Sequence, residues 1–185
     1  MARLSARPRI LFVHNGLTRF VEIDRDLLSE RWEVREWQSH GRAIQLRRLL
    51  AAVLNADLVF GWFASWHTFF PVLLARLLRR KSLLVIGGYD LANLPEAGYG
   101  HQRGGLKKWV SRSAMRLADR LITNAQFSRR EAEVNAGIPA ARVQVVYHGL
   151  PDHFGPLPAH KRRMALTVGN VYLPNLLRKG HEPFV

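Results

Sequence analysis

Six short apolar runs, each separated from the next by a stretch of helical periodicity, constrain this chain more than any other feature. Residues 9–14 (RILFVH) read as a first strand that ends on Asn15-Gly16. Residues 32–37 (WEVREW) alternate apolar and charged side chains and read as a second strand at an edge. Residues 56–60, 83–86, 118–123 and 142–147 supply four more. Between them, helices are predicted over 20–29, 44–54, 68–78, 103–117 and 128–136. In the first helix Phe20, Ile23, Leu27 and Leu28 share a side. In the second, Arg42, Arg47 and Arg48 face outward. In the fourth, Leu106, Val110, Ser113 and Leu117 form one face and Lys108, Arg112 and Arg116 another, with Trp109 at the boundary. Arg79-Arg80-Lys81 suits a helix C-terminus, and Gly137 with Pro139 suits a helix stop. Strands alternating with helices in this way predict an α/β fold: a parallel sheet with helices on both faces.

Within that frame, residues 82–100 (SLLVIGGYDLANLPEAGYG) stand out. A buried parallel strand that breaks on Gly87-Gly88 leaves bare backbone at the carboxyl end of the sheet, where open α/β sheets bind ligands. Asp90 is the first charged group beyond the strand. The alternative is a tight turn carrying a solvated Asp.

Charge and composition narrow the function. The chain has 185 residues, enough for one domain with a real core, and 48% of them are hydrophobic, which excludes general disorder. It has no Cys, so disulfides, thiolate metal sites and a Cys nucleophile are excluded. Its eight His show no i, i+4 pair and no cluster with carboxylates, so no protein-bound metal is expected. The formal charge of +14 calls for an anionic partner: nucleic acid, an acidic membrane surface or phosphorylated substrates. No nucleic-acid recognition motif is present, which ranks that partner last. The apolar run at residues 10–13 is too short for a signal-peptide core. Residues 58–75 carry no formal charge and approach the length of a membrane span, but Gly61, Ser65, His67, Thr68 and Pro71 interrupt them. A strand, a turn and a buried helix account for them better.

Residues 118–149 (ADRLITNAQFSRREAEVNAGIPAARVQVVYHG) are the most specific stretch. Ala118-Asp119, Asn124, Gly137-Ile138-Pro139, Val143, Val145, Val146 and Gly149 together resemble the end of the N-terminal domain in family 4 glycosyltransferases of the GT-B fold. Leu166-Thr167-Val168-Gly169 followed by Arg178-Lys179-Gly180 looks like the opening of the second, donor-binding domain of such enzymes. The resemblance implies a Rossmann-like acceptor-side domain over 1–150, a linker over 151–163 and the start of a donor domain over 164–185. It implies transfer of a sugar, with retention, from a UDP- or GDP-linked nucleotide sugar to an acceptor hydroxyl on a glycan or lipid-linked acceptor. No other cofactor is implied.

The same resemblance assigns residues. Arg178 and Lys179 would meet the donor diphosphate. Asn15, Gly16, Gly87, Gly88, Tyr89, Asp90 and Asn124 would line the substrate cleft. Asp90 and Lys179 are the candidates for catalysis, Asp90 as a partner of the acceptor hydroxyl. His148 and Gly149 would sit at the hinge. Two departures matter. The family often has His where this chain has Gly87, which moves any such contact to Tyr89, His101 or the substrate. Many relatives carry Arg where Asn170 stands. The short stretch after Met164 predicts a fragment, or an acceptor half that needs a partner chain. Lys108, Trp109, Arg112 and Arg116 make either a solvated helix face or a surface for an anionic membrane, with a cytoplasmic protein peripheral on the inner leaflet. A non-catalytic membrane- or partner-binding module is the competing function.

Overall fold

The computed structural model describes residues 7–38 and 45–149. Arg42, Asn170, Arg178, Lys179, the linker at 151–163 and the stretch 164–185 lie outside the described residues. Six strands form one sheet: β1 (Arg9–His14), β2 (Glu33–Gln38), β3 (Leu58–Trp62), β4 (Lys81–Val85), β5 (Arg120–Thr123) and β6 (Val143–Val145). Their order is β2-β1-β3-β4-β5-β6, and every pair is parallel. β2 pairs with β1 alone and lies at an edge, as its alternating sequence predicts. The helices are α1 (Arg19–Ser29), α2 (Leu46–Leu54), α3 (Trp66–Leu77), α4 (Gly105–Leu117) and α5 (Gln126–Val134). The α/β Rossmann-like architecture expected from the sequence is therefore the one observed.

Strand periodicity decides which helix covers which face. Ile10, Phe12, Phe60, Trp62 and Val85 point to one side, where α1 packs through Val21 and Leu28. Leu11, Val13 and Val59 point to the other, against Leu49 and Val53 of α2 and Ala75 of α3. Leu84, Ile86, Leu121 and Val143 continue that second face under α3, α4 and α5. Gly61 allows the close approach of α3: a Cβ there would stand 2.6 Å from a Leu84 methyl and 2.9 Å from the Thr68 methyl.

Two helical phases differ from expectation. In α1 the buried residue is Val21, while Phe20 is 53% and Leu27 56% exposed. Apolar residues at 20, 21, 23, 27 and 28 support two phases, and the sheet selects the one that seats Val21 and Leu28 against Ile10 and Phe12. In α4 the buried set is Val110, Ser111, Ala114 and Met115. The small residues Ser111 and Ala114 let the helix sit close to its neighbours, and Leu106 is left 61% exposed beside Trp109. The uncharged run at 58–75 is β3, a bend and α3, and no described helix is long and apolar enough to cross a membrane.

The connections reverse direction at β1: α1 leads outward to β2, and α2 returns the chain to β3 on the other side. The crevice between the carboxyl ends of β1 and β3 is the switch point at which open sheets receive ligands.

Candidate active site

All the loops that leave the carboxyl ends of parallel strands meet at one rim. Asn15 and Gly16 follow β1 there, Phe63 to Ser65 follow β3, Gly87 to Asp90 follow β4, and Asn124 follows β5. Asn15 is exposed on its bend.

The centre of this rim is Asp90, which is 1% exposed. Its Oδ2 accepts from the Ala64 N–H (2.9 Å) and its Oδ1 from the Gly87 N–H (3.0 Å). The solvated turn considered for this residue is not found; the carboxyl is enclosed and joins the loop after β3 to the loop after β4. Burial pushes its pKa up to about 7, against the backbone N–H groups of Ala64, Gly87, Asp90 and Leu91 that favour the anion. The Asp90 carbonyl in turn accepts from Gln102 Nε2 (2.7 Å) and Ser111 Oγ (3.2 Å). Arg112 donates to Gln102 Oε1 (3.0 Å) and to the Asn135 carbonyl (2.6 Å), and Asn135 Nδ2 donates to the Leu91 carbonyl (3.0 Å). This network fastens the loop between β4 and α4 onto α4 and α5. It also removes Arg112 from the outer face of α4 assigned to it from the sequence.

Gly87 leaves room. A Cβ at that position would stand 3.6 Å from Thr123 Oγ1, 3.7 Å from Asn124 Oδ1 and 3.7 Å from Ser128 Oγ. Three side-chain oxygens thus converge on the space beside a residue with no side chain. α5 begins on this space: its N-cap is Ala125, which has no side chain to cap the free N–H groups of the first turn. Above the loop, Tyr89 (38% exposed) meets Tyr99 and His101 edge-on, each with ring centroids 4.8 Å apart.

Buried polar atoms without a partner are rare in folded proteins. Among the described residues His14 Nδ1, His101 Nδ1 and Thr123 Oγ1 have none, and Trp62 Nε1 meets no closer acceptor than the Asp24 carboxylate, whose pKa it lowers. Three of these lie at the carboxyl ends of β1, β3 and β5, and the fourth on the segment that follows the β4 loop. Phe63 adds strain at the same rim: its φ is +63°, the left-handed region that L-residues avoid at a cost of about 1–2 kcal/mol. Thr68 Oγ1 holds it there by donating to the Phe63 carbonyl (2.7 Å).

Burial shifts several titratable groups at the rim toward their neutral forms. His67 and His101 both have lowered pKa values, chiefly through desolvation; for His67 the carbonyl of Trp62, 2.7 Å from Nε2, opposes the shift. Asp24 is raised by burial, with His148 and Trp62 acting against it. His14 Nε2 meets Glu36 Oε2 at 3.2 Å. After β6 the chain returns across the rim, where His148 stacks on Phe20 (4.8 Å) and more distantly on Trp62 (6.3 Å). No group of three or more His, Cys, Asp and Glu among the described residues could hold a metal ion. The arrangement can bind hydroxyls and anions and exclude water, but it offers no strong nucleophile.

The structure thus brings Gly87, Gly88 and Asn124 together, with Asn15 and Gly16 two strands away, a step of roughly 10 Å at the usual strand spacing. Sequence reasoning missed Thr123, Ser128, His14 and Phe63. A signal existed for Thr123 and Ser128, whose hydroxyls flank Asn124 in TNAQFS. None existed for Phe63, whose strain is visible only in its backbone.

The profile described as Glycosyltransferase Family 4 matches residues 16–154, most of the chain. No curated protein matches it. Among solved structures, a protein assigned as a UDP-N-acetylglucosamine 2-epimerase from Listeria monocytogenes is similar at 10% identity and a TM-score of 0.48, over 75% of this chain and 44% of that one. The UDP-GlcNAc 2-epimerase from Methanocaldococcus jannaschii is similar at 11% identity and a TM-score of 0.45, over 75% and 44%. The UDP-GlcNAc 2-epimerase from Neisseria meningitidis, bound to UDP-GlcNAc, is similar at 12% identity and a TM-score of 0.40, over 74% and 46%. The chain spans less than half the length of these structures, and at such identities they carry no argument about chemistry. The match that covers residues 16–154, with the motifs at 118–149 in their expected order, decides the matter: the chain belongs to glycosyltransferase family 4.

Proposed function

We propose that residues 1–150 form the acceptor-side domain of a retaining glycosyltransferase that moves a sugar from a nucleotide sugar to an acceptor hydroxyl. In this reading 151–163 is the linker and a donor-binding domain opens at Met164. The observation that carries it is the set of orphaned buried polar atoms at one rim of the sheet, beside the space left by Gly87. Such atoms cost stability in the free protein and gain partners from a polar ligand.

The roles follow from position. Thr123, Asn124 and Ser128 offer hydroxyl and amide groups to a sugar hydroxyl in the space beside Gly87, and the uncapped start of α5 favours an anionic group nearby. Asn15 and Gly16 border the same cleft. Asp90 positions the Gly87 loop from beneath and does not meet substrate in this arrangement. Arg178 and Lys179 would neutralise the departing diphosphate, so transfer would rest on orientation and charge stabilisation. By themselves, residues 1–150 would not turn over.

The test is calorimetric titration of UDP- and GDP-sugars into the chain, and into a chain extended by a complete donor domain, with transfer to a panel of glycan acceptors. Weak binding by this chain, clear binding and transfer by the extended one, and loss of transfer in Ser128→Ala are expected. Tight binding by residues 1–150 alone would overturn the division into acceptor and donor sides.

A second observation favours a peripheral role as well. Leu106 and Trp109 stand 61% and 57% exposed on the first turns of α4, with Lys107 and Lys108 beside them and Arg116 farther along. This face suits an anionic membrane on the inner leaflet, which would hold a lipid-linked acceptor near the cleft. Vesicles with and without anionic lipid test it: equal binding to both, or no loss in Trp109→Ala, rejects the membrane face.

A further inference from the structure

The opposite end of the sheet carries a feature that glycosyl transfer does not use. α3 ends and β4 begins in the run Leu77-Leu78-Arg79-Arg80-Lys81. There Arg76, Arg79, Arg80, Lys81 and Asp119 line a depression of about 380 Å³. Four cations face one carboxylate, and that carboxylate is largely occupied. Asp119 Oδ2 accepts from the Ser82 N–H (2.9 Å) and Oγ (3.1 Å), and Oδ1 lies 4.0 Å from Arg76. Arg80 donates to the Leu54 carbonyl (2.8 Å) and lies 4.0 Å from Asp57. The side chains of Arg79 and Lys81 have no hydrogen bond or ion pair among the described residues.

Cations at a helix C-terminus are ordinary, because they complement the helix dipole. Two details go beyond that. First, three of the last four carbonyls of α3 are already taken by backbone: the Leu78 N–H donates to the Leu74 carbonyl (2.9 Å), the Arg80 N–H to the Ala75 carbonyl (2.8 Å) and the Arg79 N–H to the Arg76 carbonyl (3.3 Å). Second, Arg79 closes the helix at φ +54°, the left-handed position for which glycine is favoured. A side chain there costs about 1 kcal/mol relative to glycine. The chain accepts that cost and keeps, among the residues that line the depression, a guanidinium unpaired among the described residues.

We propose that this depression is an anion site for a phosphate-bearing ligand, separate from the cleft at the carboxyl rim. Its volume exceeds what a single small ion fills and suits a phosphate or diphosphate group. Arginines present paired donors that match phosphate oxygens, and Lys81 adds a point charge. The phosphate could belong to a soluble compound or to a lipid headgroup. Leu77, 68% exposed beside the cations, is compatible with the second source.

The probes are inorganic pyrophosphate, titrated by calorimetry into the full chain, and phosphatidic acid vesicles compared with phosphatidylcholine vesicles. The variants are Arg79→Gly, Lys81→Gln and, as a control at the other candidate phosphate position, Lys179→Gln. Arg79→Gly should lower the affinity at least tenfold while raising the melting temperature, because it removes the charge and the backbone strain together. A purely structural Arg79 would not give both changes. Lys81→Gln should weaken binding without changing the melting temperature, and Lys179→Gln should leave this site unchanged. Pyrophosphate binding without vesicle binding assigns a soluble ligand, and the reverse assigns a headgroup; either supports the site. Binding of neither probe, or binding unchanged in both Arg79→Gly and Lys81→Gln, overturns it, as does loss of binding confined to Lys179→Gln.

Discussion

The two ends of the sheet are built to different standards. At the amino end, folding satisfies its own polar groups. Asp57 accepts from the Arg9 N–H (2.8 Å), Asp119 from the Ser82 N–H, and Arg142 donates to the Ala118 carbonyl (2.8 Å). At the carboxyl end, among the described residues, buried polar atoms of His14, His101 and Thr123 lack partners and Phe63 is held in a left-handed backbone. The same strands run between both ends, so the difference is not one of fold. One end is completed by the chain itself. The other retains unmet polar groups and strain, the features that mark it as the candidate site. Arg79 is the exception at the amino end, and for that reason it marks a site there.

The comparison can be broken most forcefully at the loop that roofs the rim. Gly100 has φ +107°, and a Cβ there would stand 1.9 Å from the Ala92 carbonyl oxygen. Gly100→Ala should destabilise by about 3 kcal/mol or more, read from urea unfolding, because backbone rather than a flexible side chain must move.

A second test uses pH. Asp90 has a folded pKa of about 7 against an ordinary 3.8, so between those values the folded state holds a proton that the unfolded state has released. Its contribution to stability is therefore fully present below about pH 4 and is lost as pH rises through 7. His67 and His101, with lowered pKa values, act in the opposite sense below their ordinary value of 6.5. The difference in urea midpoint between the wild type and Asp90→Asn, followed from pH 4 to 8, isolates the aspartate and should change in the direction given.

Next come paired substitutions at the two ends. Asp119→Ala should cost about 2 kcal/mol, because it leaves the buried Ser82 N–H without an acceptor and its hydroxyl with only the residue 119 N–H, and should leave sugar transfer by the extended chain intact. Thr123→Val removes a hydroxyl that has no partner among the described residues, so stability should stay level or rise by up to about 1 kcal/mol while transfer by the extended chain falls. A large stability loss in Thr123→Val would contradict an incomplete carboxyl end. The smallest effect is expected at Asp57, whose pKa is lowered chiefly by the Arg9 N–H. Its contribution is present above its ordinary pKa and is lost as pH falls, the opposite sign to Asp90. Because Asp57 is 44% exposed, Asp57→Asn should change stability by no more than about 0.5 kcal/mol at neutral pH.

Much of the architecture was legible in the residues. The runs RILFVH, ADLVF and SLLVI announced buried parallel strands, WEVREW announced an edge, and Gly87-Gly88 marked the rim. Helical phase was less legible. Apolar side chains at both Phe20 and Val21 let the sequence fit two rotations of α1, and in α4 the face through Val110, Ser113 and Leu117 competed with the face through Val110, Ala114 and Met115. Packing against the sheet chose between them. Of the candidate site, Gly87, Gly88 and Asn124 were named from their place after strands, and they meet at one rim. Thr123 and Ser128 were not, because what distinguishes them is convergence on a space beside a residue thirty-six or more positions away.

What the sequence determined by itself is the alternation of strand and helix, and hence a parallel sheet with a ligand-receiving end; these depend on local periodicity and on chain direction. Tertiary structure alone decided the state of individual groups. Asp90 reads in the sequence as a charge on a turn and is in fact a buried clamp, since only the folded chain brings the Ala64 and Gly87 N–H groups to its two oxygens. Arg112 reads as surface charge and is in fact a tie between Gln102 and the Asn135 carbonyl. Burial and hydrogen-bond pairing depend on neighbours distant in the chain, and a sequence pattern does not specify those distances.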